Sequence, residues 1–77
     1  MQNKQEWLEK VRQTVEEHPE YLDENLELAD KVRREAAFNA NKFSKLGMGD
    51  LSKQQTEHAL DMHDAYEVLK SVKKSGK

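Results

Sequence analysis

The residues best suited to metal or acid–base chemistry are concentrated in one short segment. Its carboxylates and histidines are Glu57, His58, Asp61, His63 and Asp64. At about 100° per residue of helix, the three carboxylates share one face with His58 at its edge, whereas His63 points away. The pairs typical of helical metal sites, His-Glu-x-x-His and Glu-x-x-His, are absent. The spacing therefore favours a solvated acidic face, paired with Arg33 or with lysines, and we expect no metal and no cofactor.

Nucleophilic catalysis has equally little support in the sequence. The chain contains no cysteine, and it lacks the Gly-x-Ser-x-Gly turn that presents a catalytic serine. The pair Gly47 and Gly49 is too short to form a phosphate-binding loop. We therefore predict that the chain is not an enzyme.

Length and composition limit how much core the chain can bury. It has 77 residues, of which 35% are hydrophobic and 36% are charged, so one thin core is expected. A second copy of the chain is a candidate partner because it would enlarge that core. The absence of cysteine fits a reducing compartment, and no apolar run approaches the roughly 18 residues of a membrane span. We expect a cytoplasmic protein that does not enter a membrane.

Local signals divide the chain into three helices. Asn3 is placed to cap the first helix, and Pro19 disfavours helix at the residue before it. Gly47 suits the left-handed position at which many helices end. Ser52 and Gln55 form a capping box for the third helix. The predicted segments are helix 1 over about 4–17, helix 2 over about 24–46, helix 3 over about 53–74, and a frayed tail over 75–77.

The apolar residues of the two long helices recur at helical spacing and complement each other in size. In helix 2 they are Leu26, Ala29, Val32, Ala36, Ala40 and Phe43, and in helix 3 they are Ala59, Met62, Tyr66, Leu69 and Val72. If the two helices fold back on each other, Ala29 faces Leu69 and Ala36 faces Met62, so small residues lie opposite large ones. The sequence therefore predicts a single all-α domain over 1–77. It is a three-helix bundle built on a long antiparallel helical hairpin, with a shorter N-terminal helix packed across it.

One aromatic residue departs from this pattern. At about 100° per residue, Phe38 lies some 140–160° from Ala36 and Phe43, so it points away from the hairpin core. Four bases surround it, and we call this set the Phe38 face: Phe38, Lys31, Arg34, Lys42 and Lys45. Aromatic residues and arginine are enriched at binding hot spots. We therefore predict a protein-interaction module (an adaptor, inhibitor or regulator) that binds an acidic partner surface. The competing interpretation is that helix 1 covers Phe38, or that Phe38 is a harmless exposed residue.

Two further binding modes follow from other residues. Lys42, Lys45 and Lys53 cluster at the tip of the hairpin, which makes nucleic-acid binding the alternative function. The acids of helix 3 count against that alternative, because they would face phosphate. Three apolar residues lie off or at the margin of the core stripes, and a homodimer is a further hypothesis for them: Leu28, Leu60 and Val68.

Overall fold

The chain forms three α-helices, and the two long ones pack against each other as an antiparallel hairpin. A computed structural model describes residues 3–76. The helices are α1 (Lys4–Glu17), α2 (Leu22–Lys45) and α3 (Gly49–Gly76), with a short 3-10 turn at Pro19–Tyr21. Within the described residues there is no strand. The prediction of an all-α bundle built on a helical hairpin is therefore confirmed.

The first helix begins and ends where the sequence predicts. The Asn3 side-chain oxygen accepts a hydrogen bond from the Glu6 backbone N–H at 2.8 Å, which satisfies one of the free donors at the helix start. Pro19 opens the 3-10 turn. Tyr21 already has helical backbone angles, with φ −92° and ψ −4°, so α2 begins at Leu22, two residues earlier than predicted.

The hairpin turn is a glycine-dependent helix cap. Gly47 has φ 76°, a left-handed conformation that side chains other than glycine's disfavour. The Gly47 N–H donates to the Ser44 carbonyl at 3.1 Å, and the Met48 N–H donates to the Phe43 carbonyl at 2.9 Å. This pair of bonds is the Schellman motif. It ends α2 at Lys45 and leads the chain directly into α3.

The predicted start of the third helix is wrong. α3 begins at Gly49 rather than at 53, because the residues that follow the Schellman turn are already helical before Ser52. Ser52 lies inside the first turn, and its hydroxyl donates to the Ala40 carbonyl of α2 at 2.8 Å. The residue therefore joins the two long helices instead of capping one. α3 also extends to Gly76, so residues 75 and 76 belong to the helix, and Lys77 lies outside the described residues.

The core is small and lies mainly between the long helices. Val15, Ala29 and Leu69 form its buried centre, with exposed fractions of 2%, 3% and 2%. Met62, Tyr66 and other half-buried residues pack around that centre. The predicted approach of Ala29 to Leu69 is confirmed, because both belong to the same cluster. Each helix therefore contributes at least one residue to a single core.

The first helix covers only the end of the hairpin that is remote from the turn. Near its start, Lys4 forms ion pairs with Asp61 (3.1 Å) and with Asp64. Near its end, Val15 packs with Leu69. α1 therefore runs parallel to the C-terminal half of α3 and leaves the half of the hairpin nearer the turn without a third layer. The molecule is elongated and thin, measuring 45 × 27 × 15 Å.

Candidate interaction surface

The Phe38 face is exposed along its whole length. All five of its residues are solvent-exposed, and Phe38 itself retains 68% of its accessible surface. The reason is its position on α2, where Phe38 lies nearly opposite the buried Ala36 and Ala40. α1 packs mainly on α3 and not on this side of α2, so it does not cover Phe38. The first form of the competing interpretation, coverage by helix 1, is therefore excluded.

The cations of this face differ in how far they are neutralised. Arg34 lies 3.3 Å from the Asp30 carboxylate, and its side chain remains 75% exposed. Within residues 3–76, Lys31, Lys42 and Lys45 form no ion pair. Their charges are therefore available to a partner, and Arg34 is the one base of the face that already shares a carboxylate.

Asp30 links the Phe38 face to a second cation on the inner side of α2. Arg33 donates two hydrogen bonds to one Asp30 oxygen, at 2.9 and 2.7 Å. These bonds, more than the charge of the neighbouring Arg34, hold the pKa of Asp30 below its ordinary value. Asp30 therefore stays ionised and fixes both arginines on the same turn of α2.

Charge is unevenly distributed along α2. Its residues 22–30 contain four acids and no base, whereas residues 31–45 contain five bases and one acid. The half of the hairpin nearer the turn, residues 34–62, contains four bases and four acids, so the basic surface belongs to α2 and not to that whole half. A basic stretch of this kind attracts acidic surfaces locally, even though the whole molecule has little net field.

Most of the exposed large apolar side chains lie in the same half of the hairpin. Five of the seven in the described residues fall between positions 38 and 60, and they are Phe38, Leu46, Met48, Leu51 and Leu60. The other two, Tyr21 and Leu28, lie at the acidic end of α2. Exposed apolar area that is surrounded by charge is typical of interaction sites. The half of the molecule that α1 leaves uncovered therefore combines exposed apolar side chains with the bases of α2.

A shallow groove between α2 and α3 is the feature that the sequence does not predict. It has a volume of about 500 Å³, and its lining includes Ala37, Ala40, Ala59 and Leu60. Arg33 and His63 lie at its edge, 2.9 Å apart between Nη1 and Nδ1. The Arg33 guanidinium also lies over the Tyr66 ring, 4.4 Å from its centre. The feature of the sequence that could have predicted this groove is the set of small residues that line it on both helices, including Ala37, which lies outside the main apolar stripe of α2.

The acidic segment of α3 is engaged by the first helix. Lys4 binds both Asp61 and Asp64, and hydrogen bonds to Asp64 and then Asp61 raise the pKa of Lys4. Of the two predicted forms of pairing for this acidic face, with Arg33 or with lysines, the structure shows the second. Arg33 instead pairs with Asp30 on its own helix. Among the described residues, no three acidic, histidine or cysteine side chains are grouped as a metal site.

The remaining predicted contact residues occupy separate places. Lys53 is exposed on the first turns of α3, near the same end of the hairpin as Lys42 and Lys45. Leu60 lines the groove and Leu28 does not, and Val68 is half-buried. Leu28, Leu60 and Val68, for which a homodimer contact was the hypothesis, therefore do not form one continuous surface in the groove.

Comparison of the chain with protein-family models, curated proteins and solved structures finds no match. None of the helices within residues 3–76 combines the length and the apolar character needed to cross a bilayer.

Proposed function

We propose that the chain is a small protein-interaction module that binds an acidic partner surface through the Phe38 face. The observation that carries the proposal is the 68% exposure of Phe38 beside three lysines that form no ion pair within the described residues. In this arrangement the phenyl ring supplies apolar contact area, and the bases supply steering and selectivity for an acidic partner. We expect the protein to bind this partner in the cytoplasm.

Affinity capture with matched variants tests this function. The wild-type chain, Phe38→Ala and Leu60→Ala are immobilised and exposed to an extract of the organism that encodes the protein, and captured proteins are quantified by mass spectrometry. Leu60 is a suitable control because it is also a large exposed apolar residue, at 56%, but lies on α3. We expect the amount of specifically captured protein to fall at least tenfold with Phe38→Ala and to stay at the wild-type level with Leu60→Ala.

The charge of the captured partners provides a second readout. A partner held by the Phe38 face presents an acidic surface, and its capture weakens as salt is raised because exposed ion pairs are screened. If Phe38→Ala captures every protein that the wild-type chain captures, the proposed function is wrong.

Nucleic-acid binding remains the second candidate because Lys42, Lys45 and Lys53 are all exposed near the turn. Phosphate contacts make affinity fall linearly in a log–log plot against salt. Titration of the chain against a random duplex and a single-stranded RNA at low salt separates the two functions. Binding that is steeply salt-dependent and is lost in Lys42→Glu/Lys45→Glu supports this candidate, and the absence of binding at low salt excludes it.

A further inference from the structure

The exposed side of α2 carries acids in its first half and bases in its second. Nine charged or aromatic residues of α2 lie within about 60° of Phe38 around the helix axis, taking about 100° per residue. One of them, Asp23, already forms an ion pair with Lys73 of α3. We call the other eight the outer stripe: Glu24, Glu27, Lys31, Arg34, Glu35, Phe38, Lys42 and Lys45. All eight are exposed. Neither α1 nor α3 packs on this side, because the buried residues of α2, Ala29, Ala36 and Ala40, lie on the other.

The charges of the outer stripe complement those of a second outer stripe that runs in the opposite direction. A two-fold axis between Arg34 and Glu35 brings acids of one copy to bases of the other at both ends of the contact, and these pairs are Glu24 with Lys45 and Glu27 with Lys42. Arg34 and Glu35 lie about 100° apart on opposite edges of the stripe, so they do not pair across the axis. The same axis places Lys31 of one copy opposite the Phe38 ring of the other, an arrangement that permits a cation–π contact. A parallel arrangement would instead place acids opposite acids, which is unfavourable.

We propose that the partner of the Phe38 face is a second copy of this chain, bound through antiparallel contact of the two α2 helices. This inference rests on the proposed function, since it identifies the acidic partner surface as the first half of α2 in the other copy. Four charges that would pair between copies, Glu24, Glu27, Lys42 and Lys45, form no ion pair within residues 3–76. Their pairing therefore breaks no ion pair of the monomer.

The size and chemistry of the contact set its strength. The stripe from Glu24 to Lys45 is about 32 Å long, and two such faces bury roughly 1,000 Å² in total, at the lower end for specific interfaces. The contact is two-fold symmetric, so each favourable pair occurs twice. Because most of the interface is charged, we expect a weak dimer that salt dissociates.

Charge reversal in two complementary variants tests the dimer. The variants are Glu24→Lys/Glu27→Lys and Lys42→Glu/Lys45→Glu, and each alone places like charges opposite each other. Sedimentation velocity is measured from about 10 µM to about 1 mM chain, the range suited to a weak complex. We expect the wild-type chain to dimerise, each variant to dimerise at least tenfold more weakly, and their equimolar mixture to recover a heterodimer. The control Glu16→Lys/Glu17→Lys makes the same charge change on α1 and should dimerise as the wild type does.

Circular dichroism first establishes that each variant is as helical as the wild type, so that a loss of association is not a loss of folding. A wild-type chain that stays monomeric up to about 1 mM, or a mixture that forms no heterodimer, overturns the inference. Neither result overturns the proposed function, because the capture experiment with Phe38→Ala independently decides whether another acidic protein occupies the face.

Discussion

Phe38 and Leu69 are both large apolar side chains in long helices, but their surroundings are opposite. Phe38 is 68% exposed and Leu69 is 2% exposed. Truncation of a buried leucine removes apolar burial and leaves a cavity, which costs about 2–5 kcal/mol. Truncation of an exposed residue changes stability by about 0.5 kcal/mol or less. The same chemical change should therefore have different consequences at these two positions.

Urea unfolding followed by circular dichroism measures this difference. We expect Leu69→Ala to lose about 2–5 kcal/mol of unfolding free energy, enough to unfold a domain with so small a core. Phe38→Ala should stay within about 0.5 kcal/mol of the wild type, and Leu60→Ala serves as the exposed control. A loss of several kcal/mol in Phe38→Ala would mean that this ring packs inside the fold.

At the scale of the helices, the turn between α2 and α3 depends on one of its two glycines. Gly47 has φ 76°, and a Cβ added at either Gly47 or Gly49 would meet no atom within 4 Å. Any difference between alanine substitutions at the two positions therefore comes from the backbone. We expect Gly47→Ala to lose about 1 kcal/mol or more, because alanine disfavours the left-handed conformation.

Gly49→Ala is the matched control for that prediction. Gly49 is the first residue of α3 and has no positive φ, so alanine should be neutral or should stabilise the fold by about 0.4–1 kcal/mol through the unfolded state. Both variants are compared with the wild type by urea unfolding. Equal stability of the two variants would show that the turn does not require glycine at position 47.

The helices and their pairing were predictable because periodicity and capping chemistry are local properties of the sequence. The stripes of α2 and α3, the Asn3 cap and the break at Pro19 all follow from residue type and spacing. The start of α3 was not predictable from the same signals. Ser52 and Gln55 have the spacing of a capping box, but Ser52 bonds to the Ala40 carbonyl of the neighbouring helix. Only the tertiary arrangement determines which of these bonds forms.

The exposure of Phe38 was predictable only in part. Helical geometry placed it opposite the alanines, but whether α1 covered it depended on where α1 docks. The ion pairs of Lys4 with Asp61 and Asp64 and the packing of Val15 with Leu69 place α1 along the C-terminal half of α3, away from the exposed side of α2. The groove beside Ala37 and Leu60 was missed for the same reason, since it exists only where two helices meet without a third.

At the scale of the whole molecule, the docking of α1 divides the hairpin into two halves that differ in packing. One half contains the three-helix core around Val15 and Leu69. The other is two helices thick, carries bases on the exposed side of α2, and contains most of the exposed large apolar side chains of the described residues. The first half supplies most of the packing, and the Phe38 face stays exposed on α2.

The central claim is that a partner occupies the Phe38 face in the cell, and photocrosslinking tests it most directly. The photoreactive residue p-benzoylphenylalanine is placed at position 38, where it preserves an exposed aromatic ring, and at the exposed position Gln13 of α1 as a control. After irradiation of living cells, we predict an adduct from position 38, either with a second copy of the chain or with an acidic protein, and none from position 13. The absence of an adduct at position 38, or equal adducts at both positions, would contradict the account.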